Sequence, residues 1–241
     1  MPNDFAYNLA SQAKSRWRGD EPDAGLTWGR VMTGDSFFDE VEKHFRFTAY
    51  TRILEIGPGY GRLLKTLLDR GHPFASFCGV DLSAARVDKL RRQFGDDRIR
   101  FEIGDCSQFQ LSQSFDIGLC SATFEQLYPS IEQTLVNLRA QIDLKGTLFV
   151  DFIMHDEDFS LSRAYFEEKS IGGAYIRIYS LRELEQLFDQ AGFTIQAANP
   201  LVLGTGFQGE TIRRMLICAS ARYSRRIANS DRDAISALLL N

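Results

Sequence analysis

From Thr51 onward, short apolar runs alternate with runs in which apolar residues recur at helical spacing. This alternation predicts a mostly parallel sheet with helices on both faces, because parallel strands need crossover connections. The apolar runs that predict strands are residues 51–56, 77–81, 99–104, 115–120, 147–153, 193–197 and 215–219. The last two runs follow each other without a helical crossover, so we expect them to form an antiparallel hairpin at one edge. The predicted fold class is therefore α/β, with a doubly wound, seven-stranded sheet that ends in a C-terminal antiparallel hairpin.

Polar caps and glycines mark the predicted helix boundaries. Ser180 and Glu183 form a capping-box pair that opens a helix, and Gly192 closes it. Apolar spacing predicts another helix that runs as far as Ile142, with Gly146 separating it from the fifth strand. Both boundaries agree with the alternation of helices and strands that a doubly wound sheet requires.

Three stretches fall outside the alternation and define the predicted domain organisation. Residues 1–50, with a helix from Ser36, are expected to form a helical lid or cap, although a helix packed on the sheet edge fits equally well. Residues 51–222 are expected to form the central domain. Within it, residues 154–179 are expected to be an insertion on the substrate side or a surface insertion without function. We assign no function to the tail at 223–241.

Length and charge narrow the class of protein. The 241 residues suit one domain, and 28 Lys and Arg against 32 Asp and Glu leave a net charge of -4. That balance lacks the positive field that nucleic acid binding requires, so we expect no nucleic acid partner.

The four cysteines are scattered without a CxxC pair, so we expect no metal site and no disulfide. The chain shows neither a leader-like start nor an apolar run of membrane length, so we expect a cytoplasmic protein without membrane contact, and a homodimer stays open.

A glycine-rich turn lies at the end of the first predicted strand, where residues 55–61 are Glu-Ile-Gly-Pro-Gly-Tyr-Gly. Glycines here let the backbone turn sharply and approach a ligand closely, although a tight strand-to-helix turn needs glycine for steric reasons alone. Asp81 ends the second strand and Asp105 the third, at the edge of the sheet where α/β proteins bind ligands. Asp81 has an alternative role as the N-cap of the next helix, but Ser83 is already available for that cap.

These motifs, over roughly residues 53–153, resemble the class I S-adenosylmethionine-dependent methyltransferases, whose first motif is an acid followed by three alternating glycines. The resemblance implies a Rossmann-like sheet and S-adenosylmethionine as cofactor, with S-adenosylhomocysteine as product. It also implies that the loop passes the methionine part of the cofactor, that Asp81 holds the ribose and that Asp105 holds the adenine amino group. The predicted cofactor-binding residues are Glu55, Gly57, Pro58, Gly59, Tyr60, Gly61, Asp81, Leu82, Asp105, Cys106 and Ser121.

Methyl transfer is an in-line displacement, so the enzyme must mainly align the acceptor and exclude water. A hydroxyl acceptor usually needs a base, and the candidates after the fourth and fifth strands are Glu125 and His155. Each has an ordinary alternative: Glu125 as an acid favoured by the dipole of the next helix, and His155 as a solvated loop residue. After the fourth strand the chain has Cys-Ser-Ala-Thr-Phe, without the Asn/Asp-Pro-Pro or Pro-Cys motifs of nucleic acid methyltransferases. A small-molecule acceptor, such as a sugar or a secondary metabolite methylated at O or N, is therefore our leading prediction.

Two other classes of protein stay open. A catalytically silent domain of the same fold could bind the cofactor or a partner protein, although a pure scaffold would not need the glycine loop and both acids. A nucleotide-dependent oxidoreductase is disfavoured because the loop is GxGxG rather than GxGxxG and because a pyrophosphate would be repelled by Glu55. Glu55 is expected to face a ligand ammonium, to accept backbone N–H bonds of the loop, or to do both.

Overall fold

The computed structural model describes residues 34–153, 159–167, 174–205 and 211–222. The helices there are α1 (Asp35–His44), α2 (Arg62–Asp69), α3 (Ala84–Gln93), α4 (Glu132–Gln141) and α5 (Leu181–Ala191), with a 3-10 turn at Phe124–Gln126. The strands are β1 (Arg52–Ile56), β2 (Ser76–Asp81), β3 (Ile99–Ile103), β4 (Phe115–Cys120), β5 (Ile142–Ile153), β6 (Arg163–Glu167), β7 (Ala174–Ile178), β8 (Phe193–Thr205) and β9 (Thr211–Ala221). Within these ranges, no helix combines the length and apolar character needed to cross a bilayer.

Seven of the strands form one sheet in the order β3-β2-β1-β4-β5-β9-β8. Strands β1 to β5 are parallel, and β9 runs antiparallel between β5 and β8. The predicted α/β class, the seven strands and the C-terminal hairpin are confirmed. Strands β8 and β9 are longer than the apolar runs 193–197 and 215–219, with 13 and 11 residues. They extend further because the hairpin's backbone N–H and C=O groups pair whatever the polarity of the side chains.

The sheet has a hydrophobic core on each face. One core contains α1, α2 and α3 side chains such as Phe38, Leu64 and Leu90. The other contains α4 and α5 side chains such as Leu138 and Phe188. Helices therefore cover both faces and leave the carboxyl ends of the parallel strands at an open edge, which is where this architecture binds ligands.

Helix α1 packs on the sheet. It spans Asp35–His44, and its N-cap residue, Gly34, makes no side-chain capping bond. Phe37, Phe38 and Val41 are fully buried, and the helix contacts α2, β8 and β9. This helix therefore covers the sheet near its β8 edge. The part of the predicted lid before Gly34 lies outside the described residues.

Strand β5 starts earlier than the sequence predicted. Ile142 is its first residue and pairs with Phe115 of β4, so it does not belong to the preceding helix. The register then shifts, and the next pair joins Ile117 to Thr147. Gly146 therefore lies within an irregular part of the strand and does not separate helix from strand. Glycine inside a strand commonly marks such a bulge, which apolar spacing alone does not reveal.

The predicted insertion at 154–179 contains a second sheet that the sequence analysis missed. Strands β6 and β7 pair antiparallel with each other and stay separate from the large sheet. The Tyr175 hydroxyl donates to the Pro129 carbonyl at 2.8 Å, and the Tyr179 hydroxyl accepts from the Ile131 N–H at 3.1 Å. The insertion therefore supports the segment that leads from β4 to α4.

The bond between Tyr179 and Ile131 gives a stability prediction. Tyr179→Phe removes the acceptor of the buried Ile131 N–H, so we expect the free energy of unfolding to fall by about 1–3 kcal/mol. Tyr50→Phe is the matched control, because Tyr50 is 87% exposed and its variant should unfold like the wild type. Urea denaturation of the three proteins makes the comparison. Equal midpoints for Tyr179→Phe and the wild type would contradict this account of the insertion.

Candidate active site

A cleft of about 450 Å³ lies at the carboxyl ends of β1, β2 and β4. Gly61 does not line it, and His155 lies outside the described residues. Within the described ranges, no three His, Cys, Asp or Glu side chains gather as a metal site would require. The predicted residues that the cleft brings together are Glu55, Gly57, Pro58, Gly59, Tyr60, Asp81, Leu82, Asp105, Cys106, Ser121 and Glu125.

The glycines of the loop at 55–61 serve two different purposes. Gly57 and Gly59 both have a positive φ, of 65° and 57°. A Cβ atom at Gly57 would lie 2.4 Å from Thr123 Oγ1, and one at Gly61 would lie 2.4 Å from the Phe94 ring. At Gly59 the nearest atom to such a Cβ is a backbone oxygen at 3.9 Å. Gly57 and Gly61 therefore satisfy close packing, whereas Gly59 leaves open space beside the cleft.

Glu55 is a buried carboxylate at the base of the cleft. Its residue is 2% exposed, and its Oε2 atom is buried without a hydrogen-bond partner. Burial raises the pKa of this carboxyl to about 8, with the Arg62 charge opposing the shift and the Asp81 charge adding to it. A buried oxygen without a hydrogen-bond partner destabilises the folded protein unless a ligand supplies a donor or a positive charge.

Asp81 ties the glycine loop to the end of β2. Its Oδ2 accepts from the Gly59 N–H at 3.1 Å and its Oδ1 from the Ser83 N–H at 2.9 Å. Burial raises the pKa of this carboxyl, and its hydrogen bonds and Arg86 oppose the shift. Ser83 accepts from the Arg86 N–H at 3.3 Å, so its predicted role as the N-cap of α3 is confirmed. The ribose-binding role of Asp81 stays a prediction.

Asp105 and Cys106 form the other end of the cleft. Asp105 Oδ1 accepts from the Ser107 N–H at 3.0 Å and from the Ser107 hydroxyl at 2.7 Å. The Cys106 thiol lies 3.6 Å from the Thr134 hydroxyl, and Asn137 donates to the Cys106 carbonyl at 3.1 Å. Helix α4 therefore holds the loop after β3 in place beside the cleft.

A buried network of charges lies behind the segment after β4. Arg214 Nη2 donates to Glu125 Oε1 and Oε2 at 2.8 and 2.9 Å, and Arg214 Nε donates to Asp151 Oδ1 at 2.6 Å. Ser121 donates its hydroxyl proton to Asp151 and accepts from Arg62 at 2.6 Å. Burial raises the pKa of the Glu125 carboxyl, and the Arg214 charge opposes the shift. Arg62 also lines the cleft, so the network reaches the ligand space.

The network changes the interpretation of Glu125. The residue lies in the 3-10 turn before α4 and pairs with Arg214, so its assignment to the dipole of the next helix is wrong. Both of its carboxylate oxygens accept from Arg214, which works against a role as base, and that role stays a prediction. Asp151 and Arg214 were not among the residues predicted from the sequence. The available signal was a charge beside or within the apolar runs of β5 and β9, because a charge buried in a sheet needs a partner.

Comparison with known family models identifies part of the chain. A family model that describes a methyltransferase domain matches residues 53–146. This match supports the resemblance of residues 53–146 to the class I S-adenosylmethionine-dependent methyltransferases. The matched range of this methyltransferase domain contains the glycine loop, Asp81 and Asp105, but it ends before Asp151 and Arg214.

Curated relatives match part of the chain. It is 28% identical to the malonyl-[acyl-carrier protein] O-methyltransferase of Priestia megaterium over 151 residues, which are 60% of this chain and 54% of that protein. It is 32% identical to the enzyme of the same name from Anoxybacillus flavithermus over 116 residues, which are 46% and 44% of the two chains. The chain spans about half the length of these curated relatives.

Solved methyltransferase structures share the fold. The Burkholderia thailandensis 1,6-didemethyltoxoflavin-N1-methyltransferase, with bound 1,6-didemethyltoxoflavin and S-adenosylhomocysteine, matches with a TM-score of 0.70 and 19% identity over 92% of this chain and 93% of that one. The glycopeptide N-methyltransferase MtfA with S-adenosylmethionine matches with a TM-score of 0.61 and 17% identity over 79% and 95%. At this identity the likeness establishes the Rossmann-like methyltransferase fold.

The raised pKa of Glu55 gives a prediction about stability and pH. The folded carboxyl titrates near pH 8 and an unperturbed one near 4.5, so between these values the folded chain binds the additional proton. The free energy of unfolding should therefore fall with rising pH by about 1 kcal/mol per pH unit from this group. Glu55→Gln should remove that slope, whereas Glu185→Gln, exposed on α5, should keep it. Urea denaturation at pH 5, 6.5 and 8 measures the slopes, and equal slopes in all three proteins would refute the prediction.

Proposed function

We propose that this protein is a methyltransferase that uses S-adenosylmethionine to methylate an O or N atom of a small molecule. The observation that carries the proposal is the unpartnered Oε2 of Glu55, buried at the cleft beside the open space at Gly59. A ligand ammonium would satisfy that oxygen and favour the charged form of the carboxyl. The pyrophosphate of a dinucleotide would place further negative charge against it, which disfavours the oxidoreductase alternative.

The cleft residues fit the three parts of the proposed cofactor. Glu55 would hold the ammonium of the methionine part, and the glycine loop would lie along it. Asp81 would accept from the ribose hydroxyls, and Asp105 from the adenine amino group, with Leu82 and Cys106 alongside. When bound, the cofactor supplies a methyl group attached to a positively charged sulfur, which is a good leaving group because it departs as a neutral thioether.

The protein's share of the chemistry is positioning. The segment after β4 and Tyr128 line the cleft next to the loop and would form the side on which the acceptor lies. Holding the acceptor's lone pair in line with the methyl carbon while excluding water supplies the main rate advantage in such a displacement. An amine acceptor would lose its proton after attack, so it needs no strong base. Because Glu125 is occupied by Arg214, an amine fits the described residues better than a hydroxyl does.

The acceptor class rests on two observations. Residues of the segment 127–134, which the β6–β7 insertion supports, line the cleft, and its volume of about 450 Å³ favours a small acceptor. The related sequences are named for malonyl-[acyl-carrier protein], so a malonyl group on a carrier protein is the second candidate.

Calorimetric titration with S-adenosylmethionine, S-adenosylhomocysteine and NADH tests the proposal. We expect the wild type to bind the first two and not NADH. Asp81→Ala should weaken binding at least about tenfold, because it removes a charged acceptor. Asp88→Ala is the matched control, because Asp88 is 57% exposed on α3 and its variant should bind like the wild type.

Thermal melts accompany the titrations, since Asp81 also holds Gly59. If the folded wild type binds neither S-adenosylmethionine nor S-adenosylhomocysteine, the proposal is wrong and the catalytically silent alternative is favoured. If binding is found, formation of S-adenosylhomocysteine with amines, hydroxyl compounds and malonyl-carrier protein then separates the acceptor classes.

A further inference from the structure

The segment after β4 is held from behind by a guanidinium that does not itself line the cleft. We define residues 121–126 as the acceptor wall, since most of them line the cleft. Arg214 of β9 donates hydrogen bonds to Glu125, at one end of the wall, and to Asp151. Asp151 in turn accepts from Ser121 and Ala122 at the other end of the wall. We propose that Arg214 is the positioning residue that fixes the acceptor wall through Asp151 and Glu125. The inference rests on the proposed function for its consequence in the cleft.

The backbone of the wall needs this support at one residue. Ala122 has a φ of 56°, in the left-handed region that residues with a side chain rarely adopt. Its N–H donates to Asp151 Oδ1 at 2.9 Å, and the neighbouring Ser121 donates its hydroxyl to the same carboxylate. Asp151 is therefore the group that holds the unusual turn. Strain of this kind persists only where surrounding structure fixes it.

Asp151 in turn depends on Arg214. The three charged residues are almost completely removed from water, with Asp151 0%, Glu125 2% and Arg214 3% exposed. Two buried carboxylates need a positive charge with donors pointing in two directions. The arginine fork supplies them, because Nε faces Asp151 and Nη2 faces Glu125. A lysine at this position offers a single ammonium and cannot reproduce that geometry.

The position of the wall also affects the glycine loop. Thr123 of the wall packs so closely on Gly57 that a Cβ atom there would be 2.4 Å from its hydroxyl. Arg62, the first residue of α2, donates to Ser121 at 2.6 Å. A displaced wall would therefore disturb the loop next to Glu55, so loss of Arg214 should weaken ligand binding from outside the cleft.

The experiment compares Arg214→Lys, Ala122→Gly and the double variant, with Arg213→Lys as the matched control because Arg213 is exposed on the same strand. Hydrogen exchange of the ligand-free proteins is measured over the acceptor wall, and S-adenosylhomocysteine affinity is measured by calorimetry. We expect Arg214→Lys to exchange about tenfold faster at the wall and to bind about tenfold more weakly. Arg213→Lys should match the wild type in both measurements.

Ala122→Gly separates positioning from general support. Glycine adopts the left-handed turn without a tether, so in the Arg214→Lys background it should recover most of the lost affinity. An equal or larger loss of affinity in the double variant would overturn the proposal. So would unchanged exchange at the wall in Arg214→Lys.

If Arg214→Lys does not fold, Glu125→Gln is measured instead, and it should also accelerate exchange at the wall; unchanged exchange would overturn the proposal. If the wild type does not bind S-adenosylhomocysteine, the proposed function fails, whereas the ligand-free exchange comparison still decides the role of Arg214.

Discussion

The need to compensate buried charge at the carboxyl edge of the sheet governs the whole site. A parallel sheet brings its strand ends to one edge, and in this chain several of those ends carry carboxylates. Asp81 is compensated by backbone N–H groups, and Asp151 and Glu125 are compensated by Arg214. Glu55 differs because its Oε2 has no partner. The uncompensated oxygen therefore indicates where the charge of a ligand belongs.

Strands β6 to β9 support that edge of the sheet. Strands β8 and β9 complete the sheet, and β9 also brings a positive charge to the wall after β4. Strands β6 and β7 form no part of the large sheet, but Tyr175 and Tyr179 fix the start of α4. The loop after β3, the segment after β4 and the start of α4 are thus each held by a partner outside the cleft or at its edge.

The sequence predicted the sheet and much of the cleft because both follow from local patterns. Apolar periodicity locates buried strands, and the carboxyl ends of parallel strands meet at one edge, so Glu55, Asp81 and Asp105 could be grouped in advance. The charge network could not be grouped in this way. Its bonds join residues 63 and 89 positions apart, and no local pattern links them. The early start of β5 escaped for the same reason, since a bulge is defined by the partner strand.

Arg214 lies outside the matched range, and this limits how far the chain can be truncated if the site is to stay intact. The recognisable methyltransferase domain ends at residue 146, whereas the counter-charge of Glu125 comes from the last strand of the sheet. A fragment that stops at the recognisable boundary would keep the glycine loop and every predicted cofactor contact, yet would leave a buried carboxylate without its cation. The smallest transferable unit of this site is therefore set by electrostatics and extends through β9.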